Sequence, residues 1–318
     1  MYNLEKIKEL NNSQKLAVNL PGFGMLKNPI FIASGCGNFG QELEKYIDLN
    51  ELGGITLKSL TKEIRPGNLQ PRVGELKHGM INSIGLANPG VDDIQQEMEF
   101  FNDKVCKVFA NVAGSDDGEY LAVIKKLNDY PQIHAYEINV SCPNVKKGCM
   151  QIGTDPVLLE ALIKKIKLIT KRAIYVKLTP NTSDIVEQAL AAERGGADGI
   201  TMINTIGGMG INYQTGKPII AQATGGVSGP ILKPVALKMV YEVTQQVTIP
   251  VIGMGGIFTG KDVIEFLQAG AQAVAIGTAN LLNPCVTMEI IEELGNLLQE
   301  LDKDNIQEFI KMAHPQSK

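Results

Sequence analysis

Short apolar runs alternate along the chain with longer stretches in which apolar residues recur every three or four positions. The runs at residues 30–34, 54–58, 106–112, 135–140, 173–178, 199–203, 250–254 and 272–276 are rich in Val and Ile and often free of charge. That is the pattern of strands buried on both faces, as in a parallel sheet covered by helices. The amphipathic stretches at 119–128, 157–170, 183–194, 231–245, 261–269 and 287–301 predict the helices between them. Pro156 follows the capping candidates Thr154 and Asp155, and Asn181-Thr-Ser-Asp184 precedes another apolar repeat; both are helix-start signals.

Eight such alternations predict an α/β architecture of the (β/α)8 TIM barrel type, with a doubly wound sheet as the alternative. Most strand-to-strand spacings fit one βα unit. The connections containing residues 59–103 and 204–249 are too long. The expectation is therefore insertions after strands 2 and 6, on the face where barrel enzymes build their sites. No linker or low-complexity run divides the chain. Residues 1–318 read as a single domain, with 1–25 a lead-in that would close the barrel bottom.

Composition narrows the function. Lys plus Arg number 30 against 34 Asp plus Glu, a net charge of −4, which argues against a nucleic-acid partner. Trp is absent and aromatics are 5% of residues, so a base-stacking or carbohydrate platform is not expected. The five cysteines, Cys36, Cys106, Cys142, Cys149 and Cys285, are odd in number and contain no C-x-x-C pair. That speaks against a disulfide framework and against zinc or an iron–sulfur cluster in this chain, so no metal is expected. Residues 1–15 lack the apolar core of a signal peptide, and the uncharged stretch 266–288 is broken by glycines, asparagines and Pro284. The expected location is the cytoplasm, without a membrane span.

The ends of the strands carry the chemistry. In order they read Ser34-Gly-Cys-Gly-Asn38, Lys58-Ser59, Asn111-Val-Ala-Gly114, Asn139-Val-Ser-Cys-Pro-Asn144, Lys177, Asn204-Thr205, Gly253-Met-Gly-Gly256 and Gly277-Thr278-Ala-Asn280. Small, amide and cationic residues at every strand end describe polar groups converging on one mouth. The glycines after strands seven and eight sit where such barrels bind phosphate through bare backbone N–H groups. Thr224-Gly-Gly-Val-Ser-Gly229 is a third glycine-rich loop, and a flexible crossover is its plainer reading. Lys58 and Lys177 end otherwise apolar strands and suit an anionic ligand better than two snorkelling rim lysines would. Cys142, between asparagines and before a proline, is placed to act as nucleophile or general base. Of the histidines only His78, in the first insertion, is a candidate for the mouth. His134 should face the barrel bottom, and Cys36, Cys106 and Cys285 read as filler.

These motifs, together with Leu20-Pro-Gly-Phe-Gly-Met-Leu-Lys-Asn-Pro29, Asn82-Ser-Ile-Gly-Leu86 and Thr224-Gly-Gly-Val-Ser-Gly-Pro230, carry a resemblance over nearly the whole chain. The sequence resembles the class 1 dihydroorotate dehydrogenases, and within them the B type. The resemblance implies a barrel with one FMN at its mouth that oxidises dihydroorotate to orotate in pyrimidine synthesis. It implies that Ser34, Ser59, Asn111, Lys177, Ile203 and Gly229 hold the flavin, and that Gly255, Gly256, Gly277 and Thr278 hold its phosphate. Lys58 and Asn139 would touch both flavin and substrate. Asn82, Ser83, Ile84, Gly85, Leu86, Asn204 and Thr205 would bind the substrate, and Cys142 would be the base. B-type members pass electrons to NAD through a partner subunit carrying FAD and a [2Fe-2S] cluster, around a homodimeric core. Ser59 follows Lys58 as in A-type members, which are fumarate-linked homodimers, where B-type members often carry Ala or Gly. Other readings are a dihydropyrimidine dehydrogenase-like flavin barrel, a flavin-free phosphosugar barrel and a non-catalytic phosphate-ligand module.

Overall fold

A computed structural model describes residues 2–140 and 149–315 of the chain. Eight parallel strands close into a barrel: β1 Ile30–Ile32, β2 Gly54–Thr56, β3 Val108–Val112, β4 Ile133–Asn139, β5 Ala173–Lys177, β6 Gly199–Met202, β7 Val251–Met254 and β8 Ala273–Ile276. Each pairs with its successor, and β8 returns to β1 through Val274 opposite Ile30 and Ile276 opposite Ile32. All residues of these strands except His134 are buried. Burial on both faces is why the sequence carries continuous apolar runs there instead of alternation.

Helices Asp117–Leu127, Pro156–Lys167, Ile185–Arg194, Lys233–Thr244, Gly260–Gln268 and Val286–Glu300 lie between the strands, within three residues of the predicted bounds. Their starts are chemically marked. Asp116, Asp155 and Asp184 each accept a backbone N–H of the first turn, and Thr259 forms a reciprocal capping box with Asp262. Such caps contribute about 1 kcal/mol each. The cap before Pro156 is thus Asp155.

The lead-in contributes no barrel strand. Val18–Leu20 and Gly24–Leu26 form an antiparallel hairpin whose turn carries Phe23. The Phe23 ring lies 5.4, 5.1 and 5.8 Å from those of Phe31, Phe109 and Tyr175. The Tyr175 hydroxyl donates to Pro21 O at 3.0 Å, tying the hairpin across the N-terminal end of the barrel. His134 stacks on the same ring, so it faces the bottom as expected, although it lies within β4 and does not precede it.

At the opposite end the two long connections do something the sequence pattern did not reveal. Val73–Leu76 and Gly79–Asn82, after β2, join Ile206–Met209 and Thr224–Ser228, after β6, in one four-stranded antiparallel sheet. The two insertions meet where Gly226 pairs with Asn82 and Ser228 with Met80. Gly226 is required there, since a Cβ would fall 2.0 Å from Thr205 Oγ1. Among the described residues no helix is long and apolar enough to cross a membrane.

The Phe23 plug generates a stability prediction. Phe23→Ala should cost about 3–5 kcal/mol by removing a buried ring among three others. Urea denaturation measures this, and an unchanged midpoint would show that the hairpin does not hold the barrel closed.

Candidate active site

The strand ends and the inner face of the mouth sheet enclose a cavity of about 380 Å³. That lies in the range of small-ligand sites, ~300–1,000 Å³. Ser34, Lys58, Ser59, Asn139, Lys177, Ile203, Asn204, Thr205, Gly255, Gly256, Gly277 and Thr278 reach it from the barrel, and Asn82, Ile84, Gly85, Leu86 and Gly229 from the insertions. The lining residues come from both ends of the barrel sequence, and behind the wall Asn280 Nδ2 donates to Cys36 O, 244 positions away, at 2.9 Å.

Two of the expected residues do not line this cavity. Ser83 is 1% exposed and holds the loop that bounds it: its N–H donates to Arg72 O at 2.8 Å and its hydroxyl accepts from Asn68 Nδ2 at 2.8 Å. Asn111 is fully buried in β3, where its Nδ2 donates to the Glu137 carboxylate and its Oδ1 has no protein partner. Cys142, the expected base, lies outside the described residues. Cys149 opens the short helix Cys149–Thr154. His78 is exposed and does not line the cavity, so the one histidine expected near the mouth plays no part in its wall.

One end of the cavity is built from bare backbone. Gly256 has φ +76° and presses so close to Lys233 that a Cβ would lie 2.7 Å from its backbone N. A Cβ on Gly277 would meet only Ala33 and Cys36, each at 3.8 Å, so the backbone there is open to a ligand. The Thr278 hydroxyl donates to that of Ser228 at 2.8 Å. Ser228 was not singled out in the sequence, although it stands in the glycine-rich loop that was.

The wall also carries two cations. Lys177 is 5% exposed, and its Nζ lies 3.7 Å from Glu137 Oε2. Burial, and then the charge of Arg72, hold the Lys58 ammonium below the usual lysine range. Cys36, read as filler in the sequence, stands in the cavity wall. Burial pushes its thiol up to about 11, against the opposing pull of Lys177 and Lys58, so at neutral pH it is a thiol and not a nucleophilic thiolate.

The helix start expected from Asn181-Thr-Ser-Asp184 is present, with Asp184 as the cap, and Asn181 itself has a further role. Its Nδ2 donates to Thr205 O at 3.0 Å, and its Oδ1 accepts from Gly207 N at 2.8 Å. The Thr205 N–H in turn donates to Asn204 Oδ1 at 2.9 Å. Asn181 therefore fixes the turn that presents Asn204 and Thr205. Among the described residues no group of His, Cys, Asp and Glu is arranged to hold a metal ion.

A family model described as dihydroorotate dehydrogenase matches residues 15–298. A protein of Anoxybacillus flavithermus named dihydroorotate dehydrogenase B (NAD(+)), catalytic subunit, is 52% identical over 92% of this chain and 94% of its own length. Proteins of the same name from Geobacillus sp. and Bacillus mycoides are also 52% identical over 92% of this chain, covering 94% and 95% of theirs.

Two predictions follow from the geometry. Lys58 is charged only below its lowered pKa, so affinity for a small anion such as orotate should fall with rising pH before the ordinary lysine range is reached. Calorimetric titration across that range, with Lys58→Met lacking the transition, checks it. Asn181→Ala should weaken orotate binding roughly tenfold, since it removes bonds worth about 1 kcal/mol each. Unaltered affinity would mean that the 204–207 turn holds itself.

Proposed function

The chain belongs to the dihydroorotate dehydrogenase family, and on that premise we propose that it oxidises dihydroorotate to orotate as an FMN-dependent, NAD-linked catalytic subunit. The observation that carries the reading is the pairing, in one cavity, of bare glycine backbone at Gly255, Gly256 and Gly277, open at Gly277, with two cations, Lys58 and Lys177. A phosphate suits the first, and an electron-rich ring system with a carboxylated substrate suits the second.

FMN fits the residues present. Gly255, Gly256, Gly277, Thr278 and Ser228 would hold its phosphate, and Ser34, Ser59, Lys177, Ile203 and Gly229 its ring system. The buried, unpartnered Oδ1 of Asn111 supports a ligand donor close by, because such acceptors are rarely left unsatisfied. When bound, FMN supplies an acceptor for the hydride leaving substrate C6. Cys142 takes the proton from C5, so that the C5–H and C6–H bonds are replaced by the C5=C6 double bond of orotate. Lys58 and Asn139 hold the substrate against the flavin, and Asn82, Ile84, Gly85, Leu86, Asn204 and Thr205 close around its ring and carboxylate. Holding both partners in one pose accounts for much of the rate enhancement. Ser83 and Asn111 support this arrangement through the loop and strand that they brace.

We read residues 1–318 as one FMN-binding domain that works in the cytoplasm. Electrons leave for NAD through a partner subunit bearing FAD and a [2Fe-2S] cluster, around a homodimeric core. The names of the relatives support the NAD link.

The test is an anaerobic one. The purified chain should be yellow and should bleach with dihydroorotate but not with dihydrouracil. Reoxidation by NAD only in the presence of a partner, against reoxidation by fumarate alone, separates the B-type from the A-type assignment. Cys142→Ala should keep its flavin and lose roughly 10²–10⁴-fold in turnover, the usual worth of a general base. Cys142→Ser should recover activity only at raised pH. Normal turnover in the alanine variant would remove Cys142 from the mechanism.

A further inference from the structure

Beneath the cavity three side chains from adjacent strands meet. Glu137 of β4 is 1% exposed and stands opposite Asn111 of β3 on one side and Tyr175 of β5 on the other. Its carboxylate lies 3.7 Å from Lys177 Nζ and accepts a hydrogen bond from Asn111 Nδ2. A buried ion pair is a poor stabiliser, and replacing one by apolar residues is often neutral or favourable. Stability alone does not explain a carboxylate buried inside the barrel. Its two partners do: Lys177 lines the cavity, and Asn111 keeps an unsatisfied buried acceptor.

We propose that Glu137 is a positioning residue that sets the electrostatics of the flavin site by balancing the charge of Lys177 and locking the Asn111 amide with its oxygen free. The inference rests on the reading of the cavity as an FMN site. An amide can be turned either way, and the carboxylate decides the matter: it accepts only, so Asn111 must offer it the NH2 and keep the carbonyl. A lone buried ammonium would favour negative charge on a reduced flavin strongly. With Glu137 beside it, that pull is reduced and the flavin potential is held lower, which eases onward transfer of electrons.

The test uses the full-length, FMN-loaded chain. Glu137→Gln should raise the flavin midpoint potential. It should also tighten binding of sulfite, which adds to the oxidised flavin as an anion, by about tenfold. The double variant E137Q/K177Q should return toward wild type in both. A purely structural role would lower thermal stability and leave potential and sulfite affinity where they were; that result overturns the proposal. If Glu137→Gln does not fold, K177Q and E137Q/K177Q are compared. The proposal expects the higher potential in the double variant, and equal potentials overturn it. Failure of the wild-type chain to take up FMN would instead overturn the reading of the site itself.

Discussion

The parallel register of β8 on β1, with Val274 beside Ile30 and Ile276 beside Ile32, closes the sheet and fixes the direction of everything else. Eight strands running one way place all their C-terminal residues at one rim. Residues that the chain keeps far apart then become neighbours without any help from loop conformation. Lys58 and Lys177 line one cavity because β2 and β5 both deliver their C-terminal residues to that rim. The price of closure is a barrel interior that must be filled, and at the N-terminal end the filling comes from outside the barrel, as the ring of Phe23. Packing and chemistry are therefore segregated to opposite ends of one tube.

The mouth sheet adds a second constraint. Its central pairing, Thr224–Ser228 on Gly79–Asn82, makes the two insertions a single body over the cavity. Asn82 and Ser228, both in the cavity wall, belong to neighbouring strands of that body. A displacement of either edge would be felt at both ends of a bound ligand, since backbone hydrogen bonds link them. Asn181 anchors the remaining loop from the barrel below, through Thr205 O and Gly207 N.

Much of this was legible in the amino-acid sequence, for identifiable reasons. Strands buried on both faces write themselves as uncharged Val/Ile runs, and Pro156 and the capping aspartates mark helix starts. The two oversized connections announced the insertions. Their pairing was illegible because Ile206-Gly-Gly-Met209 and Thr224-Gly-Gly-Val-Ser228 contain few of the residues that favour strands. Most of the expected lining residues reach the cavity, since strand C-termini face the mouth by topology. Ser83 and Asn111 differ because alternation of side-chain direction and bracing hydrogen bonds turn them into the structure. Glu137 is illegible in the sequence because its meaning lies in its neighbours across the sheet: only register brings it to Lys177 and Asn111.

The mouth sheet also has a consequence for the birth of the protein on the ribosome. Asn82 and Gly226, which face each other in it, are 144 positions apart. At ~5–20 residues per second, the strand Gly79–Asn82 waits on the order of 7–30 s for its partner to be synthesised. During that interval its outer edge is an open template for other strands. The nascent chain is thus exposed to mispairing at the very segment that later covers the active site, and chaperone demand should concentrate there.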